Sequence, residues 1–196
     1  LSVPVNADFE NGYGHSPDAV AETITQAIAA NVAGGSIEDT QSPDTSSYAF
    51  SEAVARIEAA IDARKNSGKD FLLVGRADGI MHGNYDLAEG IRRLQAFEAA
   101  GADVLFAPIL GDIEAVKTLC KSVTAPVSVL IGGPLQNCTL ADLANAGVSR
   151  VSVGAGIARL MQKSLIESTR DIMESGNFSA LSPSISGAEV DALITK

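Results

Sequence analysis

The sequence predicts a parallel α/β fold. Six short apolar runs alternate with stretches of helical periodicity along the chain, and no antiparallel hairpin signal joins any two of them. Hydrophobic residues make up 46% of the 196 positions and charged residues 19%, below the roughly 25% of an ordinary soluble domain. With 5% aromatic content and no tryptophan, aliphatic side chains must fill the interior, as they do around a parallel sheet buried on both faces.

The first expected strand, residues 3–8, leads into a helix that Ser16 caps and Pro17 opens, with Val20, Ile24 and Ile28 on one stripe. The second covers 35–38, and Ser51 is the expected cap of a helix carrying Val54, Ile57 and Ile61. The third covers 71–76, after which Asp86 caps a helix with Leu87, Ile91 and Leu94. A fourth at 104–107 precedes a helix that Asp112 caps and that carries Val116 and Val123. The fifth covers 127–131; Thr139, with Asp142 three residues on, reads as a capping-box variant before Leu143. The sixth, 150–153, is followed by a long helix from Ile157 to about Met173. After a break at 176–183, Ser186 and Glu189 cap a short helix with Val190, Leu193 and Ile194. Such repeated units admit an open doubly wound sheet or most of a (β/α)8 TIM barrel. Both place their chemistry at the carboxyl ends of the strands.

The chain holds 24 Asp and Glu against 14 Lys and Arg, a net charge of −10. A phosphate-backbone binder needs a basic footprint, so nucleic acid is not an expected partner. No apolar run approaches the roughly 20 residues of a membrane span, and Leu1-Ser2-Val3-Pro4 carries no basic n-region or signal core. Two cysteines, Cys120 and Cys138, give no disulfide framework, and the cytoplasm is the expected setting.

At the end of the first strand, alternation puts Asn6, Asp8 and Glu10 on one face. Two carboxylates there cost electrostatic energy unless a cation or water offsets it. The second strand end adds Glu38 and Asp39, and hard oxygen ligands from adjacent strand ends suit Mg²⁺. Asp39 reads equally well as a solvated loop acid. Arg76 shares a strand face with Asp78 and suits an anionic substrate, with a structural ion pair to Asp8, Glu38 or Asp78 as the plainer reading. His15 precedes a helix cap, and His82 lies in the glycine-bracketed stretch 79–83 as a weak catalytic candidate. Gly132-Gly133 and Gly154-Ala155-Gly156 fit tight turns better than phosphate cradles.

The runs Val5-Asn6-Ala7-Asp8-Phe9-Glu10-Asn11-Gly12-Tyr13-Gly14, Ser36-Ile37-Glu38-Asp39, Gly75-Arg76-Ala77-Asp78 and Ala99-Ala100-Gly101-Ala102-Asp103 occur in that order. Together they resemble the isocitrate lyase/phosphoenolpyruvate (PEP) mutase superfamily, in its PEP mutase-like branch, over nearly the whole chain up to about residue 165. The resemblance implies a (β/α)8 barrel, Mg²⁺ and a small 2-oxo or 2-hydroxy carboxylate substrate. It makes Asp8 the principal metal carboxylate, Glu10 and Glu38 the acids that hold the metal's water shell, and Arg76 the arginine for the substrate's carboxylate. Glu38 and Arg76 are thereby the expected catalytic pair. Members make or break C–C or P–C bonds beside an enolpyruvate-type oxyanion, where Mg²⁺ and arginine stabilise the developing charge.

Three departures narrow that reading. The segment Gln41-Ser42-Pro43-Asp44-Thr45-Ser46-Ser47-Tyr48 lacks the Lys-Cys-Gly-His of the isocitrate and methylisocitrate lyases. It also lacks the Lys-Thr-Asn-Ser of the phosphonate mutases, and Phe106-Ala107-Pro108-Ile109 offers no acid–base side chain. Ser46 and Ser47 remain as expected substrate-orienting groups. The leading expectation is a Mg²⁺-dependent lyase acting on a C–C bond. Its alternatives are P–C chemistry on a phosphonopyruvate-type substrate and a catalytically silent binding barrel. The family also implies a homo-oligomer in which the last helix packs on a neighbour.

A closed barrel has eight strands and typically about 250 residues, whereas six units are legible here. Residues 1–175 are therefore expected to be units three to eight, with two units preceding Leu1, and 176–196 a linker and short helix.

Overall fold

A computed structural model of the chain describes residues 3–195. Six strands form one parallel sheet: β1 (Asn6–Asp8), β2 (Gly34–Glu38), β3 (Leu72–Arg76), β4 (Val104–Pro108), β5 (Val127–Leu130) and β6 (Val148–Ser152). The first is shorter than expected, its pairing with β2 beginning at Asn6. The last begins two residues earlier than expected, where Val148 pairs with Val127 and the register then steps past Ser149 to join Arg150 with Ser128.

The strands are ordered β1-β2-β3-β4-β5-β6, each beside its neighbour in sequence. A doubly wound sheet reverses its order at a switch point, so this order removes that alternative. Right-handed crossovers taken always in one direction put the helices that join successive strands on the same face. The sheet curls about its other face until β1 and β6, at opposite ends of the order, line one cavity. The result is a partial TIM-like barrel.

The helices are α1 (Pro17–Ala29), α2 (Phe50–Ser67), α3 (Gly79–His82), α4 (Leu87–Ala100), α5 (Ile113–Ser122), α6 (Leu140–Asn145), α7 (Gly156–Ser175) and α8 (Gly187–Ile194). Side-chain caps at Ser16, Asp86, Asp112, Thr139 and Ser186 form as expected, the last two as full capping boxes. Ser51 does not cap: α2 starts one residue before it, after Ala49 and with no side-chain cap. A cap is worth about 1 kcal/mol, and two tertiary anchors outweigh it. Tyr48 is buried, and the Arg92 guanidinium stacks 3.6 Å from the Phe50 ring centroid. The stretch around His82 is the helical turn α3 rather than a loop, closed by Gly83 at φ 72°.

The main core lies between the outer face of the sheet and the helices, with Ile24, Ile57, Leu73, Phe97, Leu105 and Val129 at its centre. Gly75 lets β3 approach α4 closely, since a Cβ there would stand 3.0 Å from Phe97 Cβ. Inside the curl, Val74, Val104 and Phe106 form a small second cluster with Leu130. Asn6, Asp8, Ser36, Glu38, Arg76 and Arg150 share that inner face.

The chain divides into two compact units between Val153 and Gly154. The expected boundary after residue 175 lies inside the second unit, which holds α7, a 3₁₀ turn at Ser179–Leu181 and α8. Neither α7 nor α8 has a buried residue, and Ile157, Leu160, Met161 and Leu165 are exposed along α7. Among the described residues, no helix is long and apolar enough to cross a membrane.

Candidate active site

Arg76 closes β3, in register with Glu38 at the end of β2, and Asp8 closes β1. Because the strands are parallel and adjacent in sequence order, their carboxyl ends bring these groups together. Arg76 Nε and Nη2 donate to the two oxygens of Asp78, at 2.5 and 2.8 Å, in a bidentate pair. Nη1 donates to Asp8 Oδ2 at 2.7 Å, and Nη2 stands 3.5 Å from Glu38 Oε2. The guanidinium also lies 5.1 Å from the Phe106 ring centroid. Asp8 Oδ1 accepts from Ser36 Oγ and from the Glu10 N–H, while Glu38 Oε1 accepts from Thr40 Oγ1 at 2.6 Å.

One guanidinium thus faces three carboxylates, and burial decides how each responds. Asp8 has an exposed side chain; partial desolvation works against its charge, but Arg76 outweighs that and holds the carboxyl below its usual range. Asp78 is 1% exposed, and burial drives it up to about 6 against the hydrogen bonds and charge of Arg76. Glu38 is pushed up to about 7 by burial and by the charge of Asp78, with Thr40 and Arg76 pulling the other way. Negative charge is in surplus here.

Asp8, Arg76 and Phe106 line a cavity of about 320 Å³ together with Asn6, Ser36 and Arg150. Arg150 Nε donates to Ser128 Oγ at 3.0 Å, and among the described residues no carboxylate pairs with it. Two arginines therefore point into one small polar cavity.

The other expected residues are more dispersed. Glu10 is exposed at φ 49°, and its carbonyl accepts the Glu38 N–H. Ser46 donates to Asp44, and Ser47 Oγ accepts from Asn84 Nδ2; neither lines the cavity. Tyr48 is buried between Asn11 and His15, and His82 is exposed on α3. Asp39, left open between a loop acid and a ligand, is neither. It is 2% exposed and joined to Asp78, Tyr85 and Arg93. Tyr85, Arg93 and Arg150 carry no local signal that marks them, beyond an arginine set between valines on a strand for Arg150.

The donor set fits Mg²⁺ in kind. Among the described residues no three Asp, Glu, His or Cys side chains gather closely enough to hold an ion directly. Arg76 stands between Asp8 and Glu38, so the expected Asp8–Glu10–Glu38 set is not drawn into one direct cluster. Mg²⁺ does not require one, because it keeps several waters and takes one or two carboxylates. Asp8 is exposed, and the surplus charge around Arg76 favours a divalent cation.

The family model for phosphoenolpyruvate phosphomutase matches residues 1–173. The chain belongs to this family. Within the PEP mutase family, and so the isocitrate lyase/PEP mutase superfamily of lyases and mutases acting on small carboxylates, its relatives include an oxaloacetate decarboxylase of Paraburkholderia xenovorans (strain LB400). That protein is 32% identical over 184 residues, which cover 90% of this chain and 59% of the relative. A 2-methylisocitrate lyase of Shewanella oneidensis is 28% identical, covering 89% of this chain and 61% of its own length. The chain thus spans about three fifths of these curated relatives. Among solved PEP mutase-like structures, a Burkholderia cenocepacia J2315 protein assigned as a lyase or mutase superposes with a TM-score of 0.92 at 38% identity, over 99% of this chain and 70% of that one. A 2,3-dimethylmalate lyase gives 0.80 at 25%, over 98% and 68%.

Proposed function

We propose that this protein is a Mg²⁺-dependent lyase that cleaves or forms a C–C bond in a small 2-oxo or 2-hydroxy carboxylate. The observation that carries the reading is Arg76, held among Asp8, Glu38 and Asp78 at the strand ends and opening on a cavity of about 320 Å³. The names of the relatives support it, since oxaloacetate, 2-methylisocitrate and 2,3-dimethylmalate are all small carboxylates with a C–C bond beside an oxygen-bearing carbon.

The two edges of Arg76 have different duties. Its Nε/Nη2 edge is committed to buried Asp78. Its Nη1 meets Asp8, whose exposed carboxylate regains water when the contact opens. A substrate carboxylate can therefore replace Asp8 at Nη1 at little cost, and Arg150 supplies a second positive group in the same cavity. Mg²⁺, held by Asp8 with Glu10 and Glu38 around its water shell, would supply positive charge beside the oxygen that becomes negative as the bond breaks. Glu38, which burial raises to about 7 without a metal ion beside it, would be drawn toward its charged form by Mg²⁺ and could accept a proton from the water shell it holds. The apolar residues exposed along α7 and α8 suit a homo-oligomer, and two cysteines outside any disulfide suit the cytoplasm.

Calorimetric titration tests the site directly. Mg²⁺ is expected to bind the intact protein and to lose at least tenfold in affinity in Asp8→Ala; equal affinity would remove Asp8 as the metal carboxylate. Turnover is read on oxaloacetate, 2-methylisocitrate, 2,3-dimethylmalate and phosphonopyruvate. Carbonyl products from the first three support C–C chemistry, whereas release of inorganic phosphate from the last alone would overturn it in favour of P–C cleavage.

A further inference from the structure

We infer that Asp39, braced by Tyr85 and Arg93, is a positioning residue that fixes the Asp78–Arg76 pair and so aims the guanidinium at the cavity. The inference rests on the reading of Arg76 as the arginine that meets the substrate's carboxylate. Glu38 and Asp39 are consecutive, and the strand end sends their side chains opposite ways. Glu38 faces Arg76, while Asp39 turns into the helix layer.

Asp39 brackets the turn that follows β3. Its own N–H donates to the Arg76 carbonyl at 3.1 Å, and its Oδ1 accepts the Asp78 N–H at 2.8 Å. With both ends of the 76–78 turn held, the Asp78 carboxylate faces back onto the guanidinium two residues earlier and closes the bidentate pair. That pair sets the plane of the guanidinium and leaves Nη1 turned to Asp8 and the cavity.

Asp39 is itself held from two directions. Its Oδ2 accepts from Tyr85 OH at 2.6 Å and from Arg93 Nη1 at 3.0 Å. Tyr85 OH in turn accepts the Gly79 N–H at 3.0 Å, one residue past Asp78, and a Cβ on Gly79 would overlap the Tyr85 ring. Arg93 reaches from α4, donates also to the Tyr48 carbonyl, and is steadied by Glu89 at 2.9 Å. A buried carboxylate with every bond satisfied adds little net stability over apolar packing, but it specifies one geometry. That geometry ends on the guanidinium that pairs with Asp8, Glu38 and Asp78.

The test reads Arg76 separately from function. The Nε–H resonance of Arg76, assigned by its disappearance in Arg76→Lys, is followed by hydrogen exchange in Asp39→Asn and Tyr85→Phe. Asn keeps the shape but turns an amide donor against either Arg93 or Asp78; Phe removes only a hydroxyl and guards against loss of the fold. Exchange of that Nε–H is expected to quicken at least tenfold in both variants, with oxalate affinity down at least tenfold and Mg²⁺ affinity within twofold. Unchanged Arg76 exchange in a folded Tyr85→Phe would overturn the inference. Faster exchange with unchanged oxalate affinity would uphold the positioning and overturn instead the reading of Arg76 as the substrate arginine.

Discussion

At the scale of single residues, Arg76 shows how one side chain can serve two environments. Its buried edge is committed to Asp78 and its open end to exposed Asp8. Lysine is a point charge on a flexible stem and cannot hold both. Arg76→Lys is therefore expected to keep Mg²⁺ binding within a few-fold and to weaken oxalate binding at least tenfold by calorimetry. A different carboxylate contributes to behaviour in acid. Glu98 takes the N–H groups of Thr124 and Ala125 and the Thr124 hydroxyl; partial burial opposes its charge, but these bonds prevail and hold its pKa below the ordinary range. A depressed folded value means that its stabilisation is present above the unfolded value of about 4.3 and is lost as pH falls through the folded one. In urea titrations above and below that pH, Glu98→Gln should lower the stability of the protein at the higher pH and shrink the loss on acidification.

At the scale of elements, strands and caps were legible because their causes are local. Alternation along a strand told which of Asn6, Ala7 and Asp8 share a face, and a hydroxyl or carboxylate before an apolar stripe marked five helix starts. Thr139→Ala is expected to cost about 1 kcal/mol in urea unfolding through its capping box. Gly75→Ala, pressed 3.0 Å from Phe97 Cβ, should cost about 1–3 kcal/mol as overpacking. What escaped the sequence was non-local. Asp39 finds Tyr85 and Arg93 at separations of 46 and 54 residues, which no periodicity reports. The same holds for the start of α2, where tertiary anchors at Tyr48 and Phe50 override a legible serine. Asp8, Glu38 and Arg76 were findable because parallel strands in sequence order bring every strand end to one side.

For the molecule as a whole, a site made of separate strand ends couples ligand binding to folding. If Mg²⁺ binds only the assembled ends, a concentration of 100 times its Kd stabilises by about 2.7 kcal/mol. Thermal unfolding should shift upward with Mg²⁺ in the natural chain and stay put in Asp8→Ala.

The curl that sets β1 and β6 around one cavity gives an occupant a further effect. A molecule touching Asp8 and Arg150 spans positions from opposite ends of the strand order, so it bridges β1 and β6. Opening either outer strand would break that bridge, so the guest opposes their local unfolding by its own binding free energy. Amide exchange along the two outermost strands, rather than around the cavity alone, is where that guest would leave its clearest mark.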